Sequence, residues 1–150
     1  MKRLFALLLT ITSIMPKTAD ALPFEECFTH AADRYSVDKT LLVAIAQTES
    51  RLNPNAIGPR NENGTYDIGL MQINSGWIET LSRYGISRTD LVDGCTNIQV
   101  GAWIMANNIA VHGSTWRAVG AYNAKANDKR VKYVSKVQKN YLVAQALVTQ

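Results

Sequence analysis

Glu49 stands where a carboxyl group is costly to ionise. Leu42, Ile45, Ala46 and Glu49 fall at i, i+3, i+4 and i+7, so a helix through them carries the carboxylate on its apolar face. Pro54 cannot continue that helix, which ends near Ser50 and leaves Glu49 in its last turn, where the helix dipole presents partial negative charge. Burial and the dipole both push the pKa upward. A carboxyl that keeps its proton near neutral pH is suited to general-acid chemistry. The competing arrangement is a glutamate that turns outward or pairs with Arg51.

The elements that must hold this residue are mainly helical. Residues 22–35 form a first short helix carrying Cys27, and Asp38 N-caps the helix of Glu49. The stretch from Asn53 to Asp67 is rich in Asn, Gly and Pro, and Asn63-Gly64 predicts a small hairpin or an extended loop there. The segment from Gly69 to Asn74 has no firm assignment. Trp77, Ile78 and Leu81 give a helix after Ser75, closed at Gly85, and Ser87-x-x-Asp90 a capping box opening a very short one. Thr96-x-x-Gln99 is a second box, expected to open a longer helix that stops at Gly113. Residues 116–122 add one or two turns. Val134, Val137, Tyr141, Ala144 and Val148 then mark an amphipathic last helix with Lys132, Lys136 and Lys139 outside its stripe. Trp77, Trp103 and Trp116 are assigned to the core.

The chain has 150 residues, enough for one domain and too few for two. Met1-Lys2-Arg3, a mostly apolar run from Leu4 to Met15 and the Ala19-Asp20-Ala21 pattern predict a secretory signal peptide over 1–21 and a single domain over 22–150. A retained membrane anchor is the alternative. Loss of Lys2, Arg3, Lys17 and Asp20 leaves 13 basic and 11 acidic residues, a net +2. That field is weak and the bases lack clustering outside the last helix, so nucleic acid is not an expected partner. Cys27 and Cys95 are the two cysteines of an exported chain and suggest one disulfide. A metal site from Cys27, His30, Cys95 and His112 competes with it but lacks a second close ligand pair. Neither a metal nor an organic cofactor is expected.

The ordered set Glu49-Ser50, Gly69-Leu70-Met71-Gln72 and Ala121-Tyr122-Asn123 resembles the lytic transglycosylase and goose-type lysozyme group of peptidoglycan-cleaving enzymes. Cys27, Asn74-Ser75-x-Trp77, Cys95-x-Asn97-Ile98 and Trp116-x-Ala118-Val119-Gly120 sharpen the likeness. Together they look like the small specialised transglycosylases of conjugation, type IV and type III secretion and pilus machines, over about residues 24–141. The resemblance implies an α+β, mainly α, lysozyme-like fold with one small β-hairpin or extended loop. It implies Glu49 as catalytic acid and base, with Ser50 orienting the acid or the sugar. Met71 and Gln72 would line the cleft, Gln72 bonding an N-acetyl sugar, while Gly69 lets the backbone approach the ligand. Tyr122 and Asn123 would face the same cleft. Lys125 stands where that group commonly has glycine, which leaves the loop after Asn123 open.

The reaction so implied uses one carboxyl group. It protonates the glycosidic oxygen between N-acetylmuramic acid and N-acetylglucosamine, then takes the proton of the sugar's own 6-hydroxyl as that oxygen closes a 1,6-anhydro ring. The nucleophile is tethered, so proximity lowers the barrier. Two alternatives stand: hydrolysis with Asp67 as second carboxylate, and a binding or assembly protein without turnover. The implied setting is a monomer in a Gram-negative periplasm, acting on glycan strands beside the proteins of a secretion, conjugation or pilus apparatus.

Overall fold

Apolar spacing and side-chain caps account for most of the helix boundaries. The computed structural model describes residues 21–123 and 126–149. The expected leader, except Ala21, and Lys125 lie outside them. Helix α1 (Glu25–Tyr35) leads to α2 (Lys39–Ser50), which Asp38 caps by accepting the Leu41 N–H at 2.6 Å. Leu42 to Ala46 are buried without a break, so α2 is the central helix. It ends where expected, with Arg51 and Leu52 both in left-handed conformation at φ 57° and 63°.

The β excursion comes later than Asn63-Gly64 predicts. That dipeptide makes a tight turn, with the Asn61 N–H donating to Thr65 O at 2.7 Å, and the chain on either side pairs irregularly: the Gly58 N–H donates to Asp67 O at 2.9 Å and Ile57 bridges antiparallel to Ile68. The hairpin is β1 (Asp67–Ile68) paired antiparallel with β2 (Ile73–Asn74), Asp67 opposite Asn74 and Ile68 opposite Ile73. Each strand has two residues, too few for an alternating pattern to show in the sequence.

A single-turn 3₁₀ segment (Ser75–Trp77) runs into the short helix α3 (Ile78–Ser82), and Ser87 and Asp90 form the expected capping box. Helix α4 (Gly94–His112) begins earlier than the Thr96 box predicts. Asp93 is its N-cap and accepts the Thr96 N–H at 2.8 Å, making Thr96 the third helical residue. Gly113 ends it as expected. Helices α5 (Trp116–Asn123) and α6 (Asn127–Val148) complete the described chain, with α6 packed along α2. No described helix is long and apolar enough to cross a membrane.

Two long-range ties fix this arrangement. Cys27 and Cys95 form a disulfide between α1 and α4 across 68 residues. Restricting the unfolded chain over so long a loop contributes about 4 kcal/mol in the chain-entropy model. The sulfurs are bonded to each other, which removes them from the competing metal site. The second tie is Asn97, the one fully buried polar side chain among the described residues. Its Oδ1 accepts the Met71 N–H at 2.7 Å, and its Nδ2 donates to Ile68 O at 2.9 Å and Leu91 O at 2.8 Å. The turn between the strands is too short to satisfy its own backbone, and its buried Met71 N–H is satisfied from α4.

Asn97→Ala removes three buried hydrogen bonds and leaves the Met71 N–H without its acceptor, which is costly in a dry core. The expected loss is about 3 kcal/mol of unfolding free energy, measurable as a lower urea midpoint at unchanged slope.

Candidate active site

Five consecutive buried residues of α2 lead directly to Glu49, which is half-buried in the final turn. Its carboxyl lies at the meeting of α2, the hairpin, α5 and α6. The Tyr133 O–H of α6 donates to Glu49 Oε1 at 2.6 Å. Loss of water around the carboxyl is the largest influence on its proton affinity and raises the pKa from the ordinary 4.5 to about 7. The Tyr133 hydrogen bond and the Lys136 charge work the other way, while the negative charge of Asp67 adds to the rise. At neutral pH, Glu49 is thus divided between acid and carboxylate.

Glu49 opens into a polar cleft of about 380 Å³. Asp67, Gln72 and Asn74 of the hairpin form one wall, with Asn61 from the preceding loop. Trp77, Ile104, Tyr122, Asn123 and Lys129 line the rest. Among the residues expected here, Glu49, Asp67, Gln72, Tyr122 and Asn123 come together. Asp67 Oδ1 accepts the Asn74 side-chain N–H at 2.8 Å, so the carboxylate is braced by the residue opposite it in the hairpin.

The other expected residues serve the site through structure. Met71 does not line the cleft: its side chain is fully buried against Gly101, where even a Cβ would meet Met71 Cε at 2.8 Å. It contributes its carbonyl, which accepts the Tyr122 O–H at 3.0 Å. The close approach that Gly69 permits in this structure is to Asn97. The glycine has φ 74°, and a Cβ there would lie 2.4 Å from Asn97 Nδ2, so a side chain would displace the buried amide that holds the turn.

Ser50 donates to Leu70 O at 2.7 Å, tying the end of α2 to the hairpin one residue after Glu49. Gln72 faces the cleft, but its Nε2 donates to Gly69 O at 2.8 Å and to Ala56 O at 3.2 Å. Those bonds hold a residue with φ 49° and engage its amide protons, leaving the Gln72 Oε1 as its open polar atom toward the cleft.

Tyr133 and Trp77 were not legible as site residues. The apolar stripe of the last helix passes through Val134 and Val137, and nothing in that spacing separates Tyr133 from a core aromatic. Burial keeps the Tyr122 and Tyr133 hydroxyls protonated, with Glu49 nearby reinforcing the effect. Both therefore act as donors. Trp77, assigned to the core with Trp103 and Trp116, instead forms cleft wall. It meets Trp103 edge-to-face with ring centroids 5.4 Å apart, while Trp116 is partly exposed.

Residues 26–143 match the model of the transglycosylase SLT domain family. The chain is 42% identical over 121 residues to the invasion protein IagB of Salmonella typhimurium, covering 77% of this chain and 75% of that one. Against the X polypeptide of Escherichia coli the identity is 42% over 123 residues, with coverages of 77% and 72%. Against protein IpgF of Shigella flexneri it is 35% over 122 residues, with coverages of 78% and 80%. In fold, it is similar to an inactive mutant of the lytic transglycosylase Slt from Pseudomonas aeruginosa, with TM-score 0.68 at 21% identity. That likeness covers 85% of this chain and 25% of the other, so the chain spans about a quarter of that protein.

A carboxyl whose pKa is raised by folding favours the native state at acid pH, and that advantage is lost as pH rises through the folded value. The wild-type protein should therefore lose stability between about pH 4.5 and pH values above 7 relative to Glu49→Gln. Melting temperatures of the two proteins at pH 5 and 8.5 test this: the variant should gain on the wild type at the higher pH. Tyr133→Phe removes the bond that favours the carboxylate and should move the Glu49 titration upward, read by NMR of the labelled side chain.

Proposed function

The chain belongs to the transglycosylase SLT family and is a lytic transglycosylase, and we propose that Glu49 alone supplies its acid and its base. The carrying observation is the half-buried, partly protonated Glu49 carboxyl, held by Tyr133 at the edge of a polar cleft. The protonated carboxyl gives its proton to the glycosidic oxygen between N-acetylmuramic acid and N-acetylglucosamine. The resulting carboxylate accepts the proton of the 6-hydroxyl as that oxygen attacks the anomeric carbon. The bond to the leaving sugar breaks, a 1,6-anhydro ring closes, and Glu49 is again protonated.

Tyr133 fits both halves of this cycle. Its O–H bond steadies the anion, and burial keeps the free acid accessible near neutral pH. Trp77 and Ile104 give the sugar ring apolar contact, while Asn61, Asn74 and the Gln72 Oε1 supply polar partners. Ser50, Gly69 and Met71 fix the hairpin that carries this wall.

The leader over 1–21 and the cysteine pair support export to a periplasm, where the domain over 22–150 would work. The name of the Salmonella relative, an invasion protein, supports a place beside an envelope-spanning apparatus. There, a small enzyme opens local gaps in the wall.

Hydrolysis is the second reading, because Asp67 lines the same cleft. Digestion of purified sacculi followed by mass spectrometry should give 1,6-anhydro ends; reducing ends in their place would establish hydrolysis. Glu49→Gln should lose at least about a thousandfold in turnover. Asp67→Asn separates the readings further: with Glu49 acting alone, it keeps substantial turnover. The fall of kcat/KM above pH 7 then shifts to lower pH, because a charge that raises the Glu49 pKa is gone. Loss of turnover comparable to Glu49→Gln would instead make Asp67 a catalytic partner.

A further inference from the structure

The cleft does not end at Glu49. A second hollow of about 230 Å³ opens on the other side of that residue, bounded by Thr48 of α2 and by Lys129, Lys132, Tyr133 and Lys136 of α6. Glu49, Asn123 and Lys129 border both spaces. The three lysines stand at i, i+3 and i+7, one above another on a single face of α6. Among the described residues, none of them lies within ion-pair distance of a carboxylate. The two ion pairs found there are Lys39–Glu25 and Arg83–Glu79. Asp128 is exposed on the same helix but does not line the hollow.

A solvated basic face explains most lysine rows. This row differs in that it forms one side of a concavity continuous with the catalytic cleft. Lys139 continues the helix beyond the hollow without lining it. A ligand whose scissile oxygen reaches Glu49 from the polar cleft must present its next portion to this trough. Peptidoglycan has an asymmetry that such a trough can read. Muramic acid bears a lactyl ether carrying a short peptide with free carboxylates, whereas N-acetylglucosamine bears no anion. Carboxylates reaching Lys129, Lys132 and Lys136 would gain charge-assisted hydrogen bonds on one side of the scissile bond only.

Resting on the transglycosylase reading above, we propose that the trough binds the carboxylates of the muramyl stem peptide and so sets the register in which the glycan enters. The lysines are specificity determinants; they do not take part in the proton transfers. Lys136 also favours the Glu49 anion and Lys129 also lines the catalytic cleft, so Lys132 is the cleanest of the three to remove.

The test compares three soluble strands: peptide-bearing glycan, the same glycan with its carboxylates amidated, and glycan stripped of peptides by an amidase. The wild-type enzyme should cleave the first with roughly tenfold higher kcat/KM than the second, the upper range expected of two exposed charge pairs. Raised salt should erode that preference. Lys132→Met should lose part of that preference at the wild-type rate on the amidated strand, Lys129→Met/Lys132→Met should cleave the two strands alike, and Lys139→Met should keep the preference. Equal loss on both strands in Lys132→Met, or a preference that survives the double substitution, overturns the proposal. A full preference on stripped strands, which retain only the lactyl carboxylate, overturns the assignment to the stem peptide. Binding of the same strands to Glu49→Gln gives a readout without turnover. If the wild type cuts nothing, the lytic reading fails, yet lysine-dependent selection of the charged strand still supports the trough. Binding without selection overturns it.

Discussion

A carboxyl group drawn largely out of water at the C-terminal end of a helix must gather donors or keep its proton. Glu49 does some of each. Its one short hydrogen bond, from Tyr133, favours the anion but does not offset burial, and the result is a group poised near neutrality. A fully satisfied carboxylate would hold no proton to give, and a fully buried one would not release it. The fold supplies the intermediate case because α2 ends just beyond Glu49, at the border between the packed interior and an open cleft.

That balance depends on elements far apart in the chain. Tyr133 comes 84 residues after Glu49, on a helix that packs along α2. The Asn140 side chain donates to Thr48 Oγ1 at 2.9 Å, one residue before the acid, and pins the two helices in register. On the opposite side, Ser50 holds the hairpin through Leu70 O, one residue after it. Glu49 therefore lies between two side-chain ties on its immediate neighbours, which limits how far the carboxyl can drift relative to either wall.

Much of this was readable from local rules. The helix of Glu49, its Asp38 cap and its stop at Ser50 follow from spacing and side-chain chemistry alone, and so does the placement of Glu49 on an apolar face. The motif residues Asp67, Gln72, Tyr122 and Asn123 do converge on one cleft. What escaped has a common physical origin. Met71 and Gly69 sit in a four-residue turn whose geometry is dictated by Asn97 from α4, so their orientation is a tertiary fact. Trp77 and Trp103 are alike as residue types, and only their edge-to-face packing decides which of them fronts the cleft. Tyr133 lies beside a regular apolar stripe that hides it.

The charges acting on Glu49 come from both walls and oppose one another. Asp67, on the hairpin, holds the proton on; Lys136, on α6, draws it off. Asp67 is itself fixed by Asn74 across the hairpin, and the hairpin by Asn97. Proton affinity at Glu49 is therefore a measure of how the two walls are spaced. A shift of the hairpin toward the acid would raise it, and a closer α6 would lower it. On the reading proposed above, a ligand filling both the cleft and the lysine trough would displace water from Glu49, and its anion would offset the pull of Lys136. Both changes would favour the protonated form, so occupancy would ready the proposed acid for the first proton transfer.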